Sequence, residues 1–452
     1  MVNVIRLRKG LDINLTGKAE KTVCSLAIDG NYALVPDDFV GVKPKVVVKE
    51  GDRVTVGDAL FVNKEFPEVK FASPVSGEVI SVLRGDRRKL LRVVVKPDSE
   101  QVFHDFGKSN VAQLDGKCVV DKLLEAGLFG FINQLPYAVS TQPSVLPKAI
   151  FVSAFRDMPL AADFEVELDG NEQDFQMGLT ALSKIATTYL SVSPKQSNKA
   201  LTEAKNVEVY SFDGPCPAGN VGVQVNHISP VNKGEVVWTV DPTFVIFFGR
   251  LFNTGRVDMT RVVAVAGSEI AKPQYVKTLL GTSFKVVFAE QKANNTEGVR
   301  LINGNPLTGR ACSMEDSFVG ARTSEITAIK EGNNADEMFG WIRPRLNQFS
   351  VSRSYFSWLF GKKKEYALDA RVKGGERHMI MSGEYDKVLP MDIYAEYLVK
   401  AIITGDIDKM EQLGIYEVSP EDFALAEFVD SSKLELQHIV RQGLDTLRKE
   451  NA

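Results

Sequence analysis

The sequence predicts a multidomain protein of α/β plus β class, with a β-rich front, an α/β middle, a smaller strand-rich module and a helical end. Three observations carry this. The 452 residues exceed what one hydrophobic core organises, since domains run to roughly 150 residues each. Short β-branched runs punctuated by Gly-Asp fill the first hundred residues, strand and helix alternate from about residue 117, and the last stretch is helical in spacing. Hydrophobic residues make up 44% and charged residues 25%, proportions of an ordinary globular chain that exclude a fibre, a coiled coil or a disordered polymer.

The first unit spans residues 1–100. Lys45 to Lys49 and Val54 to Phe61 are short strands around Gly51-Asp52 and Gly57-Asp58. Val75 to Val82, Gly85-Asp86 and Leu91 to Val95 repeat the grammar, as tight hairpins do. Two such halves resemble the barrel-sandwich domain of lipoyl and biotinyl carriers. Those carriers present one lysine at a hairpin tip with Asp-Lys or Met-Lys-Met neighbours. Neither Lys64 nor Lys70 has such neighbours, and Pro67 interrupts the hairpin pattern, so an unmodified structural barrel is expected.

The second unit, 101–256, opens with a short amphipathic helix from Val119 to Ala126. Lys148 to Ala154 reads as a buried strand, Phe175, Gly178, Leu179, Leu182, Ile185, Ala186 and Leu190 fall at helical spacing, and Val207 to Phe212 is another strand. Strand, helix and strand in that order imply a parallel crossover and a Rossmann-like domain. The third unit, 257–330, places strands at Arg261 to Gly267, Phe284 to Phe288 and Gly298 to Gly304, as a small β-grasp, SLBB-like module would. The fourth, 331–452, is mainly helical. Tyr394, Tyr397, Leu398, Ala401 and Ile402 share one face before a stop at Gly405, Ser419-Pro420 is a helix start, and Leu436, Ile439, Val440, Leu444 and Leu447 line the last helix.

Chemistry is sparse. Subtracting 58 acidic from 54 basic residues leaves a net charge of -4, which offers nucleic acid no broad positive field. No apolar run approaches the roughly 20 residues that span a bilayer. The basic start has no apolar stretch after it, so no secretory leader and a cytoplasmic setting are expected. Cys24, Cys118, Cys216 and Cys312 are scattered, as are His104, His227, His378 and His438, so no metal, cluster or redox pair is expected. There is no GxGxxG, and Phe155-Arg156-Asp157-Met158-Pro159 is bulky where a dinucleotide's pyrophosphate needs bare backbone. Gly304 to Ala311 has P-loop spacing without its Lys and Ser or Thr, which reads as a plain loop. No nucleophile elbow is present, and no catalytic residue is assigned.

One stretch stands out. Phe349, Tyr355, Phe356, Trp358, Leu359 and Phe360 run into Lys362, Lys363 and Lys364. Rings beside a lysine cluster are either core with a basic turn or a surface for docking on a partner or a bilayer. Tyr355, Phe356, Trp358, Phe360, Lys362, Lys363 and Lys364 are the candidate docking residues.

The order of modules, together with Arg8-Lys9-Gly10-Leu11-Asp12-Ile13, Lys70 to Gly77, Gly214-Pro215-Cys216-Pro217-Ala218-Gly219-Asn220-Val221-Gly222, Leu251 to Gly255, Gly374 to Arg377 and Leu389 to Asp392, resembles the NqrA family, whose members are components of Na+-translocating NADH:quinone reductases. That family is similar to RnfC and to the flavin-bearing NADH subunit of respiratory complex I, in which a GxGGAGFP-type loop cradles FMN. The corresponding stretch here, Glu125 to Asn133, places Leu128 and Phe129 where a flavin needs bare backbone. Val429-Asp430-Ser431-Ser432-Lys433 stands in place of a Val-Cys-Pro-Gly-Lys type segment. The resemblance implies a peripheral subunit, itself without cofactor, on the cytoplasmic face of a bacterial inner membrane. FAD, FMN, riboflavin and iron-sulfur clusters are expected in partner subunits, which carry electrons from NADH to ubiquinone or menaquinone and export Na+. The expected partner is an integral membrane protein of the same complex, with quinone a further candidate. The alternatives are a non-enzymatic binding module and an RnfC-like flavin-binding electron-transfer subunit.

Overall fold

The computed structural model describes residues 3–290, 298–333, 342–361 and 363–451. Its strands form four sheets, and the first two strands already leave the expected order. β1 (Asn3–Arg6) lies parallel to a strand some two hundred residues away in the α/β unit, and β2 (Glu20–Ser25) edges the sheet of the third unit. Between them Gly10 N–H donates to Lys387 O at 3.0 Å and Thr16 N–H to Tyr366 O at 3.1 Å, within the C-terminal region. The barrel expected over 1–100 is thus built from residue 32 onward, and residues 3–25 thread through the other three units.

The barrel packs a sheet of β3 (Tyr32–Leu34), β9 (Leu90–Pro97), β8 (Gly77–Arg84) and β5 (Arg53–Val54) around one core with a sheet of β4 (Pro44–Val46), β6 (Ala59–Asn63) and β7 (Lys70–Ala72). β6 and β7 pair antiparallel across the Lys64 to Val69 turn, so Pro67 sits in a hairpin connection and does not abolish it. Phe61 and Phe71 stack at 4.6 Å, and Phe39 meets Phe71 at 4.4 Å. The chain of rings continues out of the barrel: Phe39 lies 5.2 Å from Phe131, and Phe131 4.7 Å from Phe244. Barrel and α/β unit therefore share one core.

The α/β unit begins with α1 (Gly116–Glu125), capped by Asp115, whose carboxylate accepts from Cys118 N–H at 2.8 Å. Its seven-stranded sheet, in order β1, β14 (Glu208–Asp213), β13 (Thr188–Val192), β12 (Ala149–Ser153), β15 (Val237–Val240), β10 (Asn133–Leu135) and β11 (Val139–Ser140), is parallel from β1 to β15. Alternation along β12 sorts its side chains to two faces. Ile150 and Val152 join the core of α3 (Glu172–Ser183) and α6 (Pro242–Thr254), while Ala149 and Phe151 pack with Val225 of α5 (Val221–Ile228). The short α2 (Phe164–Leu168) and α4 (Lys199–Thr202) complete the unit. The helical spacing read as far as Leu190 stops at Ser183, and Leu190 belongs to β13. α6 is buried from Pro242 to Phe252. It lies so close to α3 that a side chain at Gly249 would fall 1.7 Å from Asp174 O, and one at Gly178 2.0 Å from Val245 O.

The third unit is a sheet ordered β19 (Arg310–Cys312), β18 (Val299–Asn303), β20 (Glu325–Lys330), β16 (Thr260–Ala266), β17 (Gln274–Leu279) and β2. Phe284 to Phe288, expected as a strand, is the helix α7 (Phe284–Glu290). Phe284, Val287 and Phe288 are buried and Lys285 is exposed, an i, i+3, i+4 pattern that five residues are too few to tell from a buried strand. The helical end holds α8 (Tyr385–Val388), α9 (Ala395–Thr404), α10 (Ile407–Gln412), α11 (Ala424–Val429) and α12 (Leu436–Glu450), with Gly405 in the left-handed region (φ 70°) at the C-terminus of α9. Tyr394 and Tyr397 point outward; Leu398, Ala401 and Ile402 face the core. This core also takes in Leu7 and Ile13 of the N-terminal thread and Phe212 and Val223 of the α/β unit. Among the described residues no helix is long and apolar enough to cross a membrane.

Candidate functional site

Three places have functional geometry: the turn that matches a flavin loop, a cleft at the carboxyl ends of the α/β strands, and the aromatic stretch before the lysines.

The first is filled. Leu128, Phe129, Phe131 and Ile132 have no exposed surface. Gly127 adopts φ 68°, and a side chain there would lie 2.9 Å from Ala72; one at Gly130 would lie 2.4 Å from the Phe71 ring. The glycines admit the barrel, and Phe71 takes the space above the turn. A flavin's ring system does not fit against this backbone.

The second is a cleft of about 570 Å³. The chain order of strands reverses at β12, with β13 and β14 to one side and β15 to the other, and such a switch point opens a crevice beyond the strand ends. The loop after β12 supplies Arg156 and Asp157, the start of α5 supplies Asn220 and Gly222, and the start of α6 supplies Asp241. The third unit closes one side with Asn305, Arg322 and Glu325, and the helical end contributes Glu421. The loop with P-loop spacing is therefore a wall of the cleft, but its amides turn inward: Asn305 Oδ1 accepts from Leu307 and Thr308 N–H at 2.9 and 3.0 Å.

Most charges in the cleft are held by hydrogen bonds to neighbouring groups. Arg156 donates to Asp241 at 3.0 Å and to Thr243 Oγ1 at 3.3 Å. Burial opposes the Asp241 charge, but Arg156, the Thr243 N–H and hydroxyl and Arg261 together outweigh it and hold the carboxyl below its usual range. Burial pushes Glu325 up; it accepts from Ala162 N–H at 3.1 Å. Arg322 joins three units, donating to Asp38 O at 3.2 Å, Phe131 O at 3.1 Å and Asn133 Oδ1 at 2.7 Å, with its guanidinium 5.4 Å from the Phe244 ring centre. Burial draws it down to about 10.

Asp157 accepts from Gly219 N–H at 2.9 Å through Oδ2, its Oδ1 has no hydrogen-bond partner among the described residues, and burial raises it to about 6. Glu421 is exposed to water in the cleft yet stands deep among protein groups beside Asp422. That crowding, then the neighbouring carboxylate, raises its carboxyl above the usual range. Asp422, bonded to Ser419 Oγ at 2.8 Å, is likewise raised by burial.

The nearest hydroxyl and thiol of the cleft are engaged by their neighbours. Ser153 Oγ donates to Gly219 O at 2.8 Å and accepts from Gln224 Nε2 at 2.8 Å. Burial raises the Cys216 thiol well above its ordinary value, beside Met158 at 3.7 Å. Among the described residues no cluster of His, Cys, Asp and Glu could hold a metal. The cleft can seat a polar group.

The third place answers the question left by the sequence. Phe356–Phe360 is a 3-10 turn in which Ser357 is buried while Phe356 (57%), Trp358 (44%), Leu359 (63%) and Phe360 (55%) are exposed. These rings are surface, and core packing does not explain them. Tyr355 is half-buried under the Arg345 guanidinium at 5.6 Å, and Lys364 Nζ stands 4.0 Å from the Phe360 ring centre. Lys363 is exposed; Lys362 lies outside the described residues.

Sequence reasoning missed the cleft, since its charged residues come from separate loops, strands and helices between residues 37 and 441. Asp241-Pro242 and Ser419-Pro420, each an N-cap followed by N1 proline, offered local signs of two of them, Asp241 and Glu421.

Comparison with known proteins covers the whole chain. Residues 5–98 match the NqrA N-terminal barrel-sandwich hybrid domain, 114–257 the NqrA second alpha/beta domain, and 262–314 the NQRA C-terminal domain. The NqrA subunits of the Na(+)-translocating NADH-quinone reductases of Neisseria meningitidis serogroup A and Yersinia pestis bv. Antiqua are each 34% identical to this chain, over 99% of it and 100% of the relative. The protein of the same name from Saccharophagus degradans matches to the same extent. A solved NAD+-reducing [NiFe]-hydrogenase in its H2-reduced state shares 10% identity over 75% of this chain and 62% of its own, at a TM-score of 0.37, too slight a likeness to carry an argument.

Proposed function

Since this chain belongs to the NqrA family of Na(+)-translocating NADH-quinone reductase subunits, we propose that it fills the NqrA position in a sodium-pumping NADH:quinone reductase. It takes part in an oxidoreductase as one component of a complex. In this reading it is peripheral, on the cytoplasmic face, and joins an integral membrane subunit. It holds no flavin or cluster itself; FAD, FMN, riboflavin and iron-sulfur centres belong to its partners, which pass electrons from NADH to ubiquinone or menaquinone and export Na+.

The observation that carries the cofactor-free reading is the occupied turn at Gly127 to Ile132, where Phe71 of the barrel sits against Gly130. The cleft argues against a prenylated quinone seated there, since four arginines and six carboxylates line it and an isoprenoid tail prefers apolar walls.

A tagged full-length chain, expressed with its genomic neighbours and purified from detergent-solubilised membranes, tests the proposal. Copurification of membrane subunits with NADH:quinone activity is expected, and the separated chain should show no flavin absorption. A chain that brings down no membrane subunit, or that retains flavin, overturns the reading.

A further inference from the structure

We propose that the Phe356–Phe360 turn and the cations around it form a binding surface for an anionic lipid bilayer. The inference rests on the proposed function only for which membrane is met; the chemistry is local. Four large apolar side chains exposed within five residues make a patch that a turn facing only water does not keep. Charge selects the occupant. Between residues 341 and 364 there are six cations, Arg343, Arg345, Arg353, Lys362, Lys363 and Lys364, and no acid, in a chain whose net charge is -4.

Arg353 and Lys364 stand beside the exposed rings. Arg353 lies 5.3 Å from the Trp358 ring centre and Lys364 Nζ 4.0 Å from that of Phe360. Aromatic rings settle at the headgroup boundary, and lysine and arginine beside them meet lipid phosphates. A zwitterionic bilayer offers the rings the same depth but leaves the cations without a net counter-charge. Anionic phospholipid satisfies both, each cation near such a surface being worth roughly a fivefold gain in partition.

Sedimentation of the full-length chain with vesicles tests this, comparing phosphatidylglycerol mixed with phosphatidylcholine against phosphatidylcholine alone, at low and high salt. The expected result is binding to the anionic vesicles that salt weakens, with at least about tenfold less on the neutral ones. K363E/K364E should lower it roughly 25-fold or more, and F356S/W358S/F360S should abolish it. Unchanged urea midpoints show that both variants fold; should the ring variant unfold, the charge reversal decides. Absence of binding to anionic vesicles, or indifference to the charge reversal, overturns the inference. A wild-type chain that holds membrane subunits in detergent but ignores vesicles defeats the lipid assignment and leaves the proposed function standing. A ring variant that folds but loses those subunits in detergent also overturns it, since the patch would then grip protein.

Discussion

Two aromatic 3-10 turns in this chain have opposite fates. Phe129–Phe131 is wholly buried between barrel and α/β unit, and Phe356–Phe360 shows most of its rings to water. Both are rich in phenylalanine, so hydrophobicity does not separate them. Their neighbours do. Gly127 and Gly130 let the backbone of the first come within contact of Ala72 and Phe71, whereas the second is bordered by arginines and lysines that cannot be buried together without partners. A ring sequence is drawn into the core when small residues let another unit approach, and held at the surface when like charges crowd it.

The comparison can be broken most forcefully at the buried turn. Phe131→Ala should cost about 3–5 kcal/mol in urea unfolding, because Phe131 links the rings of Phe39 and Phe244; a loss below that range would mean that barrel and α/β unit do not share a core. Next comes Arg322→Ala, which leaves Asn133 Oδ1 and two carbonyls without their donor. About 2–3 kcal/mol is expected in the same measurement, and a neutral result would show that the three units do not depend on this residue.

A smaller effect is a dependence on pH. Asp157 has a carboxyl raised to about 6 by burial, above its unfolded value of roughly 4. Its folded form holds a proton more tightly, so its contribution is fully present below about pH 4 and lost as pH rises through about 6. Asp157→Asn can still accept from Gly219 N–H through its amide oxygen, and it should remove that part of the fall. Thermal unfolding at pH values from about 4 to about 7 checks this: a wild-type minus variant difference that does not change over that window contradicts it. Smallest of all, Trp358→Ser at the exposed turn should alter stability by no more than about 0.5 kcal/mol. A larger loss would make the second turn a packed element and erase the contrast.

Local chemistry makes much of this legible in advance. The Gly-Asp turns of the barrel, the strand and helix alternation of the α/β unit, the stop at Gly405 and the start at Ser419-Pro420 depend on neighbours along the chain, and the structure has them. The failures involve distance. α7 reads wrongly because Phe284 to Phe288 is too short for its period to show, and β1 and β2 pair with strands that nothing near them specifies. The cleft is invisible for the same reason: Arg156, Arg322 and Glu421 have no shared motif and meet only when four units have closed. At the 356–360 turn the residues are plain but their exposure is not, since rings and lysines side by side suit both a core edge and a surface.

The N-terminal thread has a consequence for the birth of the molecule. β1 leaves the ribosome well before β14, its ladder partner among the described residues, which ends at Asp213, roughly two hundred residues later. At about 5–20 residues per second that interval is on the order of ten to forty seconds. During it Val4 and Ile5 have no sheet to join, and β2 waits longer still for β17. The barrel can assemble meanwhile, because all its strands lie between residues 32 and 97. The N-terminal thread is thus secured later than the barrel that follows it, and its capture reports that the sheets of the α/β unit and the third unit have formed.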